Sequence, residues 1–163
     1  MFRISHVFGT HREYDRRCLA EVQSLFEIAF PDLAEDGQYM IRKLTEQAAR
    51  GYPSILLVAH GPGDRIIGFA LADYFETLRY AYLDFIVTQA EQRGRGLGGA
   101  LYEALRHDLM ARGARGLFLE VPTDDPAQVA NPAHLKANKD NPRRAYEDIV
   151  WALINTKEFQ FNR

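Results

Sequence analysis

The sequence predicts a mixed α/β (α+β) domain, a mainly antiparallel sheet with flanking helices in the order β-α-α-β-β-β-α-β-α. Three observations predict it. Residues 54–87 hold three runs rich in apolar, β-branched and aromatic residues, SILLVAH, RIIGFALADYF and YAYLDFIV, parted only by GPGD and ETLR. Turns that short join antiparallel neighbours, because a parallel pair needs a crossover of a dozen or more residues. Two stretches with apolar residues at helical spacing come before these runs; a glycine-rich loop, one helix and one strand come after.

Phe2 to Phe8 reads as a first strand, with Phe2, Ile4 and His6 alternating. Asp15 is the expected cap of a helix running to Phe30, whose inward stripe is Leu19, Val22, Leu25, Phe26 and Ala29. Pro31 stops it. Asp36 is the expected cap of a second helix, Gly37 to Arg50, with Tyr39, Met40, Leu44 and Ala48 inward and Gly51-Tyr52-Pro53 as its close. Strands follow at 54–60, 65–75 and 80–87, and Gly68 is expected at a bend or bulge of the second. The third reads as mostly buried, with Asp84 as its one acid. From Leu97 a stripe of Leu97, Leu101, Ala104, Leu105 and Leu109, with Ala100 beside it, predicts a helix that Gly113 and Gly116 end. Leu117 to Val121 is the next strand.

After Val121 comes a polar stretch of about 21 residues, long for a compact domain and expected to be mobile over 122–140. Residues 142–161 read as a helix, with Pro142 in its first turn and Ala145, Ile149, Ala152 and Leu153 as its stripe.

At 163 residues the chain is long enough for one domain with a core; 47% apolar and 26% charged residues are the values of a globular protein. A net charge of −2 argues against a general nucleic-acid binder. The one cysteine, Cys18, excludes an internal disulfide and is expected to pack on its helix. No apolar run reaches the roughly 20 residues of a membrane span, and the N-terminal residues lack the apolar core of a secretion signal. The expectation is a cytoplasmic protein away from membranes. His6, His11, His60, His107 and His134 have no metal-ligand spacing, so no metal is expected.

Between the third strand and its helix stand Gly94, Gly96, Gly98 and Gly99, flanked by Arg93 and Arg95. Four glycines at a helix start are costly unless the backbone must approach something closely. The helix N-terminus offers unpaired N–H groups and a partial positive charge, and two arginines add to it, so the loop suits a phosphate or pyrophosphate. A nucleoside-triphosphate loop would end in Gly-Lys-Ser/Thr, whereas this one ends in Gly98-Gly99-Ala100. The dinucleotide pattern is matched in letter by Gly94, Gly96 and Gly99, with Glu120 about where a ribose-binding acid would fall. That pattern begins almost at the strand end, however, and here Thr88 to Arg93 intervene.

Arg93-x-x-Gly96-x-Gly98, after a strand ending Phe85-Ile86-Val87, closely resembles the acetyl-CoA loop of the GCN5-related N-acetyltransferases, written Gln/Arg-x-x-Gly-x-Gly/Ala. The element order agrees with that family over residues 1–138, taken as the domain. The family's last two strands have no counterpart here, so the strand at 117–121 is expected to present an open edge through which a homodimer could form. Residues 139–163 are read as a helical tail foreign to the domain; DNPRRAYEDIVWALINTKEFQFNR resembles the C-terminal tail of large planctomycete proteins.

The resemblance implies an N-acetyltransferase using acetyl-CoA as co-substrate and a small-molecule or peptide amine as acceptor, with direct attack in a ternary complex. It assigns the cofactor to Arg93, Gly94, Arg95, Gly96, Leu97, Gly98 and Gly99 and to the backbone of Phe85, Ile86 and Val87. Leu119-Glu120-Val121 resembles the Leu-Glu-Val of ribosomal-protein alanine acetyltransferases, which makes Glu120 the candidate base. Asp84 is the second candidate, and its plainer reading is a buried acid held by a partner. Tyr146 is the candidate proton donor to the leaving thiolate, although it stands one residue out of the family's register. The alternatives are a CoA-binding or regulatory module with an incomplete, inactive fold and, more distantly, a nicotinamide-dependent dehydrogenase domain.

Overall fold

The computed structural model of the chain describes residues 2–31, 38–92 and 95–119. Its elements are β1 (Arg3–Val7), α1 (Glu13–Ala29), α2 (Tyr39–Thr45), α3 (Gln47–Arg50), β2 (Ser54–His60), β3 (Ile66–Phe75), β4 (Tyr80–Thr88), α4 (Leu97–Ala111) and β5 (Gly116–Leu119). The five strands form one sheet in sequence order, and β1 to β4 pair antiparallel. The chain divides into two compact units, Met1–Leu117 and Phe118–Arg163, so only the last two residues of β5 are described in the second. The expected loop at 122–140 and helix at 142–161 lie outside the described residues, as does Asp36.

Strand alternation sorts β3 into two faces. Phe69 and Leu71 join Val7, Leu56, Val58 and Val87 in a core completed by Leu19, Val22, Leu25 and Phe26 of α1 and Met40 and Leu44 of α2. Cys18 is buried in the same core. Gly68, Ala70 and Ala72 alternate with them, and these small residues let α4 close on the opposite face through Leu97, Leu101, Leu105 and Leu109, all buried. With both faces covered, every residue of β2 is buried. Each leucine so removed from water contributes roughly 1.5–3 kcal/mol.

Beneath the start of α1, the buried His60 accepts or donates at Nε2 to Ser5 Oγ (2.8 Å) and Tyr14 Oη (2.9 Å), and its Nδ1 lies 3.1 Å from Asp64 Oδ1. Asp64 also meets Arg3 and Arg17. This cluster ties β1, α1 and the β2–β3 turn together.

Three sequence expectations are corrected. Asp15 does not cap α1: Arg12 holds the cap position, its carbonyl receiving the Arg16 N–H at 3.1 Å, and Asp15 is buried in the first turn. The helix starts earlier because Glu13 and Asp15 both complement its dipole from inside that turn. Ala29 is exposed, since the stripe leaves the sheet after Phe26. The second helix is two helices, broken at Glu46 (φ −99°, ψ 19°), which turns Ala48 outward. The break swings Arg50 back so that its guanidinium donates to the carbonyl of Lys43.

Both antiparallel seams beside β3 slip by one residue. Ala59 pairs with Gly68 but His60 with Ile66, which leaves Ile67 as a bulge next to Gly68, as expected for this stretch. Leu71 pairs with Phe85 but Ala72 with Leu83, which leaves Asp84 without a partner on β3. Gly68 is required by close approach: a Cβ there would stand 2.8 Å from the Val87 carbonyl oxygen and 3.3 Å from Leu97 and Leu101 side-chain carbons. Gly68→Ala is therefore expected to lower the unfolding free energy by about 1–3 kcal/mol, read as a lower urea midpoint at unchanged slope. A wild-type midpoint would show that the helix has room to spare.

Candidate active site

A bulge puts two consecutive side chains on the same side of the sheet, and β4 does this at Asp84 and Phe85. Both face α1 and α2, and Tyr39 at the start of α2 meets both. Its hydroxyl donates to Asp84 Oδ2 at 2.9 Å, and its ring lies edge-on to Phe85 with centroids 5.9 Å apart. Phe26 stacks on Tyr39, and Phe26 and Phe30 both pack on Phe85. An aromatic wall thus stands where β4 changes register.

Under that wall lies a network of charges. Lys43 Nζ donates to Asp73 Oδ2 on β3 at 2.6 Å and lies 2.9 Å from Asp84 Oδ2. Arg50 reaches Asp73 Oδ1 at 3.3 Å, the Ser54 hydroxyl donates to the same oxygen, and the Arg50 guanidinium lies over the Tyr52 ring. The side chains of Lys43, Asp73 and Asp84 are 15%, 5% and 14% exposed. Two acids and two bases balance, as low-dielectric surroundings demand. Burial works to push the Lys43 ammonium down, but its hydrogen bonds to Asp73 and Asp84 outweigh this and hold its pKa above the usual lysine range. Burial, and then the Asp84 carboxylate, push the Tyr39 hydroxyl up to about 12.

At the far end of β4 a short 3₁₀ turn, Ala90–Gln92, leads toward α4. Gly96 caps α4 with φ +78°, a conformation open to glycine, and its carbonyl receives the Ala100 N–H at 3.0 Å. The N–H groups of Leu97, Gly98 and Gly99 in the first turn have no partner within the helix. A Cβ on Gly98 would first meet Ile86 at 4.0 Å, and one on Gly99 would meet nothing within 4 Å. Packing thus does not require glycine at either place. A first turn without side chains at these two positions lets a ligand oxygen approach the backbone N–H groups closely. A groove of about 730 Å³ opens beside this end of β4, between Leu25 and Ile28 of α1, Arg65 just before β3 and Ile67 within it, and Val87 and Gln89.

Of the residues singled out from the sequence, the structure places Phe85 on the aromatic wall, Ile86 toward α4, Val87 in the core, and Gly96, Leu97, Gly98 and Gly99 in one helix turn. Arg95 is exposed beside that turn. Asp84 is an acid held by partners, its plainer reading. Arg93, Gly94, Glu120 and Tyr146 lie outside the described residues. Sequence reasoning passes over Lys43, Arg50 and Asp73. Two acids in otherwise apolar strands call for cations, but no local pattern picks out Lys43 and Arg50.

The network has a pH signature. The folded state holds the protons of Tyr39 and Lys43 more tightly than the unfolded chain does. Their contribution is intact below the unfolded tyrosine value near 10 and is lost as pH rises toward 12. Urea midpoints are expected to fall across that window, and to fall less steeply in Tyr39→Phe. Equal slopes would remove Tyr39 from the account.

A family model described as the acetyltransferase (GNAT) family matches residues 19–131. No curated protein sequence matches the chain. Among solved structures, Tetrahymena GCN5 is similar at a TM-score of 0.61 and 14% identity, over 84% of this chain and 76% of that one. A GNAT family acetyltransferase from Brucella melitensis, in complex with acetyl-CoA, is similar at 0.56 and 19%, over 80% and 82%. The ribosomal-protein-S18-alanine N-acetyltransferase from Escherichia coli is similar at 0.51 and 23%, over 83% and 76%. At these identities the structural likeness is one of fold, while the family model covers more than half of the sequence. With its bulged fourth strand running into a glycine-opened helix, the chain belongs to the GNAT family of acetyltransferases.

Proposed function

We propose that the chain transfers an acetyl group from acetyl-CoA to an amine by direct attack within a ternary complex. The observation that carries this reading is the first turn of α4, whose N–H groups have no partner within the helix and whose glycines leave room for a ligand to approach. Two relatives of the same fold are described in complex with coenzyme A or acetyl-CoA, which supports the choice of carrier.

In this reading the turn at 95–99, with Arg93 and Gly94, holds the pyrophosphate, where the partial positive charge of the helix and the arginines offset its charge. The backbone of Phe85, Ile86 and Val87 pairs with the pantetheine arm and aims an N–H at the thioester oxygen. Such a donor is worth roughly 3 kcal/mol at a transition state. The amine nitrogen forms the new bond to the carbonyl carbon, the carbon–sulfur bond breaks, and Tyr146 supplies the thiolate's proton. Glu120 takes the amine's proton. Asp84 is the weaker candidate for that task, because its accepting oxygen already receives Lys43 and Tyr39.

Acetyl-CoA is expected to raise the melting temperature, as a ligand confined to the folded state must; at a hundred times its Kd the gain is about 2.7 kcal/mol. NAD is expected to leave it unchanged. Gly99→Asp, which adds a carboxylate at a position whose Cβ would meet nothing within 4 Å, is expected to abolish the shift. Stabilisation by NAD and none by acetyl-CoA would overturn the assignment.

Glu120→Gln is expected to reduce turnover about 10²–10⁴-fold near neutral pH with little change in the acetyl-CoA shift, measured as CoA release with spermidine, lysine and an alanyl peptide as acceptors. Wild-type turnover in this variant would move the base to Asp84 or to water. Acetyl-CoA binding with no release over any acceptor would favour a binding module.

A further inference from the structure

We propose that Lys43 is a positioning residue for acetyl transfer: it holds the bulge of β4 in register and so sets where the backbone of Phe85 to Val87 stands. The proposal rests on the acetyl-transfer reading and gives that site a specific support from outside it.

The register of β3 and β4 changes between Ala72↔Leu83 and Leu71↔Phe85. Asp73, paired with Tyr82, stands just before the change, and Asp84 is the residue left over by it. The Lys43 ammonium bridges these two carboxylates at 2.6 and 2.9 Å, so one cation from α2 clamps both strands at the point where they slip. Tyr39, one helical turn earlier on α2, supports the same place by its bond to Asp84 and its ring contact with Phe85. Phe85 to Val87 follow directly on the clamped residue.

A bulge is one of several ways to pair the two strands, and a slip of one residue would turn the following side chains to the other face. An apolar cluster of the same volume would fill the space at comparable stability, but it would not distinguish the registers. Two carboxylates fixed to different strands and meeting one ammonium do distinguish them, since the slip would carry Asp84 away from Lys43. Arg50 provides an internal comparison, because it contacts Asp73 and not the bulge.

The test compares Lys43→Met, Arg50→Met and Tyr39→Phe in the full chain. Lys43→Met is expected to keep the acetyl-CoA melting shift and a KM for acetyl-CoA within about threefold of wild type, because the glycine turn is untouched. Its kcat is expected to fall at least tenfold. Amide hydrogen exchange at residues 84–87 is expected to rise at least tenfold, without a matching rise along α4. Arg50→Met also breaks a contact to Asp73; it is expected to lose stability yet keep its kcat within threefold and its protection at 84–87. Lys43→Met and Asp84→Asn combined are expected to cost no more in kcat than Lys43→Met alone, as a residue acting through Asp84 requires.

Should Lys43→Met fail to fold, Tyr39→Phe decides, with an expected rise in exchange at 84–87 and a kcat lowered several-fold. Unchanged exchange at 84–87 in the variant that folds, or equal kcat losses in Lys43→Met and Arg50→Met, would overturn the proposal. If the wild-type chain neither shifts with acetyl-CoA nor releases CoA, the transfer reading fails. Wild-type release matched by Lys43→Met would sink the positioning role alone.

Discussion

Between Leu83 and Phe85 the fourth strand carries one residue more than the strand it pairs with, and the extra residue is an aspartate. A bulge bends its strand, strengthens the local twist and re-aims the residues after it. Three features of the candidate site lie along the strand from that point on: the aromatic wall, the groove beside Val87 and, past the 3₁₀ turn, the glycine-opened helix. The helix that follows β4, α4, begins at Leu97. The helix in turn is held against β3 by Gly68, whose missing side chain lets Leu97 and Leu101 descend onto the sheet.

The charges beneath the bulge are costly to keep. Moving ammonium and carboxylate groups out of water offsets much of the gain from their attraction. What their arrangement contributes is geometry, since each contact joins two different elements: α2 to β3, α2 to β4, α3 to β3 and β2 to β3. Apolar contacts along the same face are non-directional and would tolerate sliding. The two kinds of contact are complementary, the leucines supplying cohesion and the ions supplying alignment.

Much of the fold was legible because local signals agreed. SILLVAH forms a strand, GPGD turns the chain between β2 and β3, and the four leucines of α4 face the sheet as their spacing requires. The glycine turn itself was legible for a different reason: Gly96 takes a positive φ at the cap of α4, a conformation that favours glycine. Helix ends were less legible. Nothing in GQYMIRKLTEQAAR marks the break at Glu46, past which Arg50 meets the Lys43 carbonyl and Asp73 of β3. Asp84 could be recognised as an acid in need of a cation, but Lys43 could not be named, because 41 positions of chain fold back before the two meet.

The burial of Cys18 gives the protein a built-in reporter. It is the only thiol, it is 1% exposed, and burial pushes its pKa up, so it is both shielded from and unreactive toward alkylating reagents while α1 stays docked. Labelling then proceeds only through opening of the core around α1. Its rate in native buffer measures the free energy of that opening when closing outpaces labelling. The chain can thus be followed by mass alone, without an added dye or an engineered cysteine.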